Sequence, residues 1–270
     1  MIVEGFGLHS GHPSRVVFER KSGPTAIATR EAEVSLDDLV VVDATRSTTI
    51  GAPDGQLRVA TVEHLFAAMA GLSVREGVRC IVEGPEIPLA DGGARSFVEA
   101  LAALALPKIG PSLRIEKIGT IAIGSSVYTF APGDDVSVEV TFEDPKFGAT
   151  ASWHGDASDF VERIAPARTF GFAREVEELL DRGLAKHVAP ESVVVLSESG
   201  ALFAGLPFSP DEPARHKLLD LIGDLFVHGG PPRGTVRALR PGHASTHAAL
   251  AQAMADGIVS SVVGDPSIHR

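Results

Sequence analysis

Pro107-Lys108-Ile109-Gly110-Pro111 decides how this chain is divided. Its prolines remove backbone donors on either side of a glycine that frees the backbone, so regular structure breaks and a boundary is expected there. Before the break, residues 14–19 and 39–42 read as strands, followed by a helical pattern over 61–71. Thr61 is the expected N-cap of that helix, Val62, Leu65, Phe66 and Met69 form its apolar stripe, and Gly71 ends it. More strand follows, then a second helix over 94–105 with Phe97, Val98, Leu101 and Leu104 on one side. After the break the plan recurs, with strands at 113–123, 127–130 and 136–142, a helix at 174–182 and a strand at 192–196. A helix at 212–227, a strand at 235–239 and a helix at 245–255 complete it. The expected class is α+β, with two similar subdomains, 1–107 and 112–270, each a sheet with paired helices. The duplication is inferred from element order alone, because no residue-level repeat is present.

Composition narrows the function. The longest apolar runs of the 270 residues, such as 65–70, stop well short of the roughly 18 to 20 needed to cross a bilayer. Met1-Ile2-Val3-Glu4-Gly5 has neither a basic nor a long apolar region, so no secretory signal and a cytoplasmic location are expected. The single Cys80 can form no internal disulfide, and its strand-like setting points to packing rather than chemistry. Asp and Glu outnumber Lys and Arg by 35 to 24, which argues against nucleic-acid binding and leaves any anionic ligand to a local site. Ten histidines are the one compositional hint of chemistry.

The most informative segment is Arg215-His216-Lys217-Leu218-Leu219-Asp220-Leu221-Ile222-Gly223-Asp224. On a helix, His216 and Asp220 share a face, about 6 Å apart at Cβ, and Asp224 follows one turn on. Alone, such a stripe more often marks an exposed polar face. A second polar pair, Glu63-His64, opens the otherwise apolar helix at 61–71, where a helix-start carboxylate beside a packed histidine is the plainer explanation. Taken together, His64, His216 and Asp220 supply two imidazoles and a carboxylate, a set that leaves Zn²⁺ an open position for water. Glu63, adjacent to a ligand, would take that water's proton.

Thr61-Val62-Glu63-His64-Leu65 and His216-Lys217-x-Leu219-Asp220-x-x-Gly223-Asp224 resemble two signatures of the UDP-3-O-acyl-N-acetylglucosamine deacetylase family, the zinc deacetylases of lipid A synthesis. Four further matches occur in the family's order: the segments 5–11 and 84–92, Arg168-Thr169-Phe170-Gly171-Phe172, and Gly242-His243-Ala244. The resemblance runs from about residue 5 to residue 255. It implies a β-α-α-β sandwich with the helices between two sheets and an acyl-passage insert in the C-terminal half. It implies zinc on His64, His216 and Asp220, with Glu63 as general base and His243 as the acid, oriented by Asp224. Thr169 would donate to the oxygen of the tetrahedral intermediate. Lys217 would contact substrate, Phe170 and Phe172 would lie near the sugar and acyl chain, and Arg240 near the diphosphate. The implied reaction hydrolyses the N-acetyl group of UDP-3-O-acyl-N-acetylglucosamine, giving UDP-3-O-acyl-glucosamine and acetate. Iron(II) suits the same ligands as Zn²⁺. The implied partner is the acylated UDP-amino-sugar, met by a monomer with no transmembrane segment and at most peripheral contact with the inner membrane.

The sequence departs from the family in four places. It begins a few residues before Gly5, where the family has a further strand, which would cost the first sheet an edge. Phe130-Ala131-Pro132 carries alanine where the family has lysine, removing a cation from the substrate site. Residues 183–193, around His187, replace a stretch that shapes the acyl passage, and His247 replaces a usual asparagine. Two alternatives therefore stay open: a zinc amidohydrolase for another acetylated sugar, and a non-catalytic zinc-binding paralogue, which the intact Glu63 and His243 disfavour.

Overall fold

The computed structural model describes residues 1–144, 146–173, 190–197, 200–203 and 207–262. In its first half, strands β1 (Ile2–Phe6), β2 (Pro13–Pro24), β3 (Ala26–Ala28), β4 (Glu33–Ser35) and β5 (Glu76–Glu83) form a five-stranded sheet in the order β1-β2-β5-β3-β4. Period-two alternation buries Ser14, Val16 and Phe18 of β2 and turns Arg15 and Glu19 outward. Helix α1 (Glu63–Gly71) precedes β5, and α2 (Arg95–Ala102) follows it.

The second half repeats this plan strand for strand. Its sheet contains β6 (Gly119–Ile123), β7 (Ser126–Ala131), β8 (Val136–Phe142), β9 (Ala149–Trp153) and β10 (Gly234–Leu239), in the order β6-β7-β10-β8-β9. In both sheets the last strand in sequence lies between the second and third, parallel to the third, and every other pairing is antiparallel. Helix α3 (Glu212–Phe226) precedes β10 and α4 (His243–Ala255) follows it, so α1 corresponds to α3 and α2 to α4. Topology thus carries the duplication that residue identities do not.

The helices lie between the sheets, and one continuous apolar core joins both halves. All of α1 is buried, and only Arg215 and Lys217 of α3 reach solvent. A helix covered on all sides must be apolar all round, so each polar residue within it needs a reason to be there. The two helices cross in backbone contact at Gly223, where a Cβ would stand 2.0 Å from the carbonyl oxygen of Glu63.

Several local expectations change. Val62, not Thr61, is the N-cap of α1; Thr61 sits at φ 56° and its hydroxyl donates to Glu86 Oε1 at 2.7 Å. The strand expected at 113–123 is broken: Leu113–Ile115 pairs with Val259–Ser261, and Ile118 faces solvent before β6 begins. Helix α4 starts at His243 rather than 245, because the Ser245 hydroxyl turns back to accept the Gly242 N–H at 3.1 Å. Cys80 is fully buried and burial pushes its thiol well up, as packing requires. The helix expected at 174–182 and the segment around His187 lie outside the described residues. Among the described residues no helix is long and apolar enough to cross a membrane.

Candidate active site

The crossing of α1 and α3 brings His64, His216 and Asp220 together, all buried, with one ligating atom from each within 4.8 Å of the others. Helical spacing sets His216 and Asp220 on one face. His216 Nδ1 donates to the Ala167 carbonyl at 3.0 Å, which leaves Nε2 with its lone pair towards Asp220 Oδ1 at 3.4 Å. His64 Nε2 stands 3.7 Å from the same oxygen, too far for a hydrogen bond. Lys217 Nζ donates to the other oxygen, Oδ2, at 2.9 Å. Burial pushes His216 down to about 4, so its imidazole is neutral at physiological pH. Burial opposes the charge of Asp220, yet His216 and Lys217 outweigh it and its carboxyl lies well below the usual range. Burial opposes a charge on His64, but Asp220 outweighs it and raises that imidazole while no cation is bound. Two imidazoles and a carboxylate converging without filling each other's bonds are nonetheless the donor set of a divalent cation, which would displace that proton, and these residues fit Zn²⁺.

Beside this set stands an acid–base pair. Glu63 is 3% exposed; its Oε2 accepts the Thr48 backbone N–H at 3.0 Å, and its Oε1 lies 3.9 Å from His243 Nε2. Burial raises Glu63 to about 7, against the pull of His243 and His64. His243 Nδ1 is held by Asp224 Oδ2 at 2.9 Å, which aims Nε2 at Glu63. Burial and the α4 N-terminus both work against a charge on His243, but Asp224 and Glu63 outweigh them and raise it to about 10. At neutral pH the site therefore holds a carboxylate near its titration point facing an imidazolium, an arrangement suited to taking one proton and giving another.

Comparison with known proteins shows the family. The family model described as LpxC, UDP-3-O-acyl N-acetylglycosamine deacetylase, matches residues 1–256. The UDP-3-O-acyl-N-acetylglucosamine deacetylase of Myxococcus xanthus (strain DK1622) is 36% identical over 285 aligned residues, covering 99% of this chain and 85% of the relative. That of Pseudomonas entomophila (strain L48) is 34% identical over 266, covering 93% and 87%. The chain belongs to the UDP-3-O-acyl-N-acetylglucosamine deacetylase family. It is a deacetylase, a hydrolase.

The other residues singled out in the deacetylase sequence fall into two groups. Thr169 and Phe170 open the strand Thr169–Phe172, next to Ala167, which holds His216. The Phe170 ring lies 6.0 Å from that of His216 and 6.2 Å from that of Phe172, and Lys217 Nζ sits 5.7 Å above it. The Thr169 hydroxyl has no hydrogen-bond partner among the described residues. Arg240 stands apart: half exposed at the end of β10, it pairs with Glu143 at 3.4 Å.

Sequence reading missed three supports of the candidate site. Arg168 and Glu212 form a buried two-bond ion pair, at 2.8 and 3.1 Å, that ties the start of α3 to the strand carrying Thr169. They are 44 residues apart, and only the carboxylate in the first turn of α3 hinted at a partner. Glu86 accepts the Ser10 N–H at 2.8 Å as well as the Thr61 hydroxyl, anchoring the loop after β1 to the start of α1. Thr48 reaches Glu63 and Asp224 at once, and no local pattern marks it.

Proposed function

We propose that this protein is a zinc-dependent enzyme that removes the N-acetyl group of UDP-3-O-acyl-N-acetylglucosamine in lipid A biosynthesis. The observation that carries this reading is the buried Glu63 facing His243 beside the convergent His64, His216 and Asp220. A cation on those three residues supplies Lewis-acid polarisation of the acetamide carbonyl and acidifies water. Glu63 takes a proton from the attacking water. His243, charged at Nε2, stabilises the oxyanion together with the Thr169 hydroxyl and then gives its proton to the departing amine. Asp224 keeps the Nδ1 proton and the ring orientation throughout. Lys217 and Phe170 meet the substrate beside the metal ligands, and Phe172 extends that apolar wall.

Two observations favour a second reading, a different acetylated sugar: Ala131 offers no cation and Arg240 is engaged by Glu143. Acetate release separates the two. Purified, zinc-loaded protein is expected to release acetate from UDP-3-O-acyl-N-acetylglucosamine; release from other acetylated sugars alone would overturn the first reading.

Metal content tests the ligands separately. Wild-type protein is expected to co-purify with stoichiometric zinc or iron and His216→Ala to lose it; retention by the folded variant would remove His216 from the set. The pH profile tests the acid and base. kcat/KM is expected to rise as Glu63 loses its proton and fall as His243 loses its own, with limbs at or below about 7 and about 10. A bound cation lowers both limbs, since it favours the carboxylate and disfavours the imidazolium.

A further inference from the structure

Asp224, 1% exposed, holds more than His243. Its Oδ1 accepts the Thr48 hydroxyl at 2.6 Å, and Thr48 Oγ1 lies 2.8 Å from His247 Nε2. His247 Nδ1 in turn lies 2.8 Å from Nε2 of His228, in the loop after α3. A line of contacts thus runs from the first turn of α4, through a carboxylate and a threonine, back to α4 one turn on, and out to a half-buried imidazole.

The direction of each bond follows from counting protons. A hydroxyl has one, and an ionised carboxylate only accepts, so Thr48 gives its proton to Asp224 and must accept from His247 Nε2–H. Neutral His247 protonated there has a bare Nδ1, which accepts from His228 Nε2–H. Every link is satisfied with both imidazoles neutral. Burial agrees: it pushes His228 down to about 4, and lowers His247 despite Asp224.

We propose that His247, oriented by His228, is a positioning residue: it fixes the Thr48 hydroxyl as a donor to Asp224 and so sets how firmly that carboxylate holds the His243 ring and its proton. The proposal rests on the acid role given to His243 above. The line is not a proton path, because a proton passed along it would arrive at Nδ1, which already carries one, while the reaction empties Nε2. Its effect is electrostatic and steric. With the Thr48 hydroxyl held on Asp224 by His247, part of the carboxylate charge is neutralised; with that hydroxyl free to turn, more of the charge falls on His243, which then holds its proton more tightly and is a poorer acid. Among the described residues, the other titratable groups that face His243 or Asp224 are Asp220 and Lys217 on α3, Glu63 on α1, His9 in the loop after β1, and Tyr128 of β7, whose hydroxyl lies 2.8 Å from Ser245. Strands β6 and Val259–Ser261, packed on α4, carry none.

Nitrogen NMR of the full, metal-loaded chain with ¹⁵N-labelled histidine tests this without turnover. At neutral pH, His247 and His228 are expected to be neutral with the proton on Nε2, and His243 to be protonated on both nitrogens. A His247 that is charged, or protonated on Nδ1 alone, overturns the proposal. In the acetate assay, His247→Leu is expected to lower kcat about tenfold and move the alkaline limb of kcat/KM upward. His247→Gln, whose amide can donate to Thr48, is expected to retain most activity and the wild-type limb. An unmoved limb in the leucine variant, or equal losses in both variants, also overturns it. Wild-type protein that releases no acetate but shows the expected tautomers would instead count against the proposed reaction alone.

Discussion

Glu63→Gln is expected to yield a protein that folds, melts higher than wild type and has lost activity by about 10²- to 10⁴-fold in kcat. The amide is nearly isosteric, and its oxygen can still accept the Thr48 N–H now bound at 3.0 Å. It cannot take a proton. The stability change follows from burial, which raises Glu63 from 4.5 to about 7. A carboxyl with a raised folded-state value holds its proton more tightly when folded, so stability is lost as pH rises from the unfolded value through the folded one. Above about pH 7 the ionised side chain costs on the order of 3 kcal/mol in metal-free protein, and glutamine does not bear that cost. The advantage should be present at about pH 8 and vanish below about pH 4.5. Calorimetry of both apo proteins across that range, beside single-turnover assays, checks the prediction. A variant that loses stability along with activity would mark Glu63 as structural.

Gly223→Ala is expected to have the opposite profile, a loss of both. Alanine in a helix interior gains about 1 kcal/mol over glycine, so a roomy site would be stabilised. Here the added carbon meets the Glu63 carbonyl oxygen at 2.0 Å, and that atom belongs to backbone that no rotamer change can move. Helices α1 and α3 must separate, which costs about 3 kcal/mol, outweighs the propensity gain and lowers Tm by roughly 4–8 °C. The separation also moves Glu63 and His64 away from His216 and Asp220, and a displacement of about 1 Å at such a site can cost 10²-fold in rate. Thermal melts and acetate release by the same preparation test both parts. An alanine variant at least as stable as wild type would show that the helices do not meet there.

What could be read from the sequence was what the helical period displays. His216, Asp220 and Asp224 fall on one face because 3.6 residues make a turn, and Glu63-His64 stands out because the rest of α1 is apolar. The duplication expected from the order of strands and helices recurs in the matching strand orders of the two sheets. Hidden was whatever depends on contacts between distant residues. The shared strand order needs the pairing of β5 with β3 and of β10 with β8, which no local pattern encodes. Thr48 touches the site only because the turn before Thr49–Gly51 carries it there, 176 residues from Asp224. Thr61 looked like a cap because threonine favours caps; Glu86, an accepting carboxylate brought in by the fold, offered its hydroxyl a better bond.

The matching strand order has a consequence for how such a site can arise. If a single half paired with a copy of itself, two identical helices would cross where α1 and α3 now cross, and each would offer whatever the other offered. The site described here is unlike on its two sides: Glu63 and one imidazole come from the first helix, and an imidazole, a carboxylate and Asp224, which holds His243, from the second. A chain holding both copies in one polypeptide lets each be changed without changing the other. In the proposed mechanism, covalent linkage of the halves is in that sense part of the chemistry, since it allows one crossing to hold a proton acceptor on one side and the group that directs a proton donor on the other.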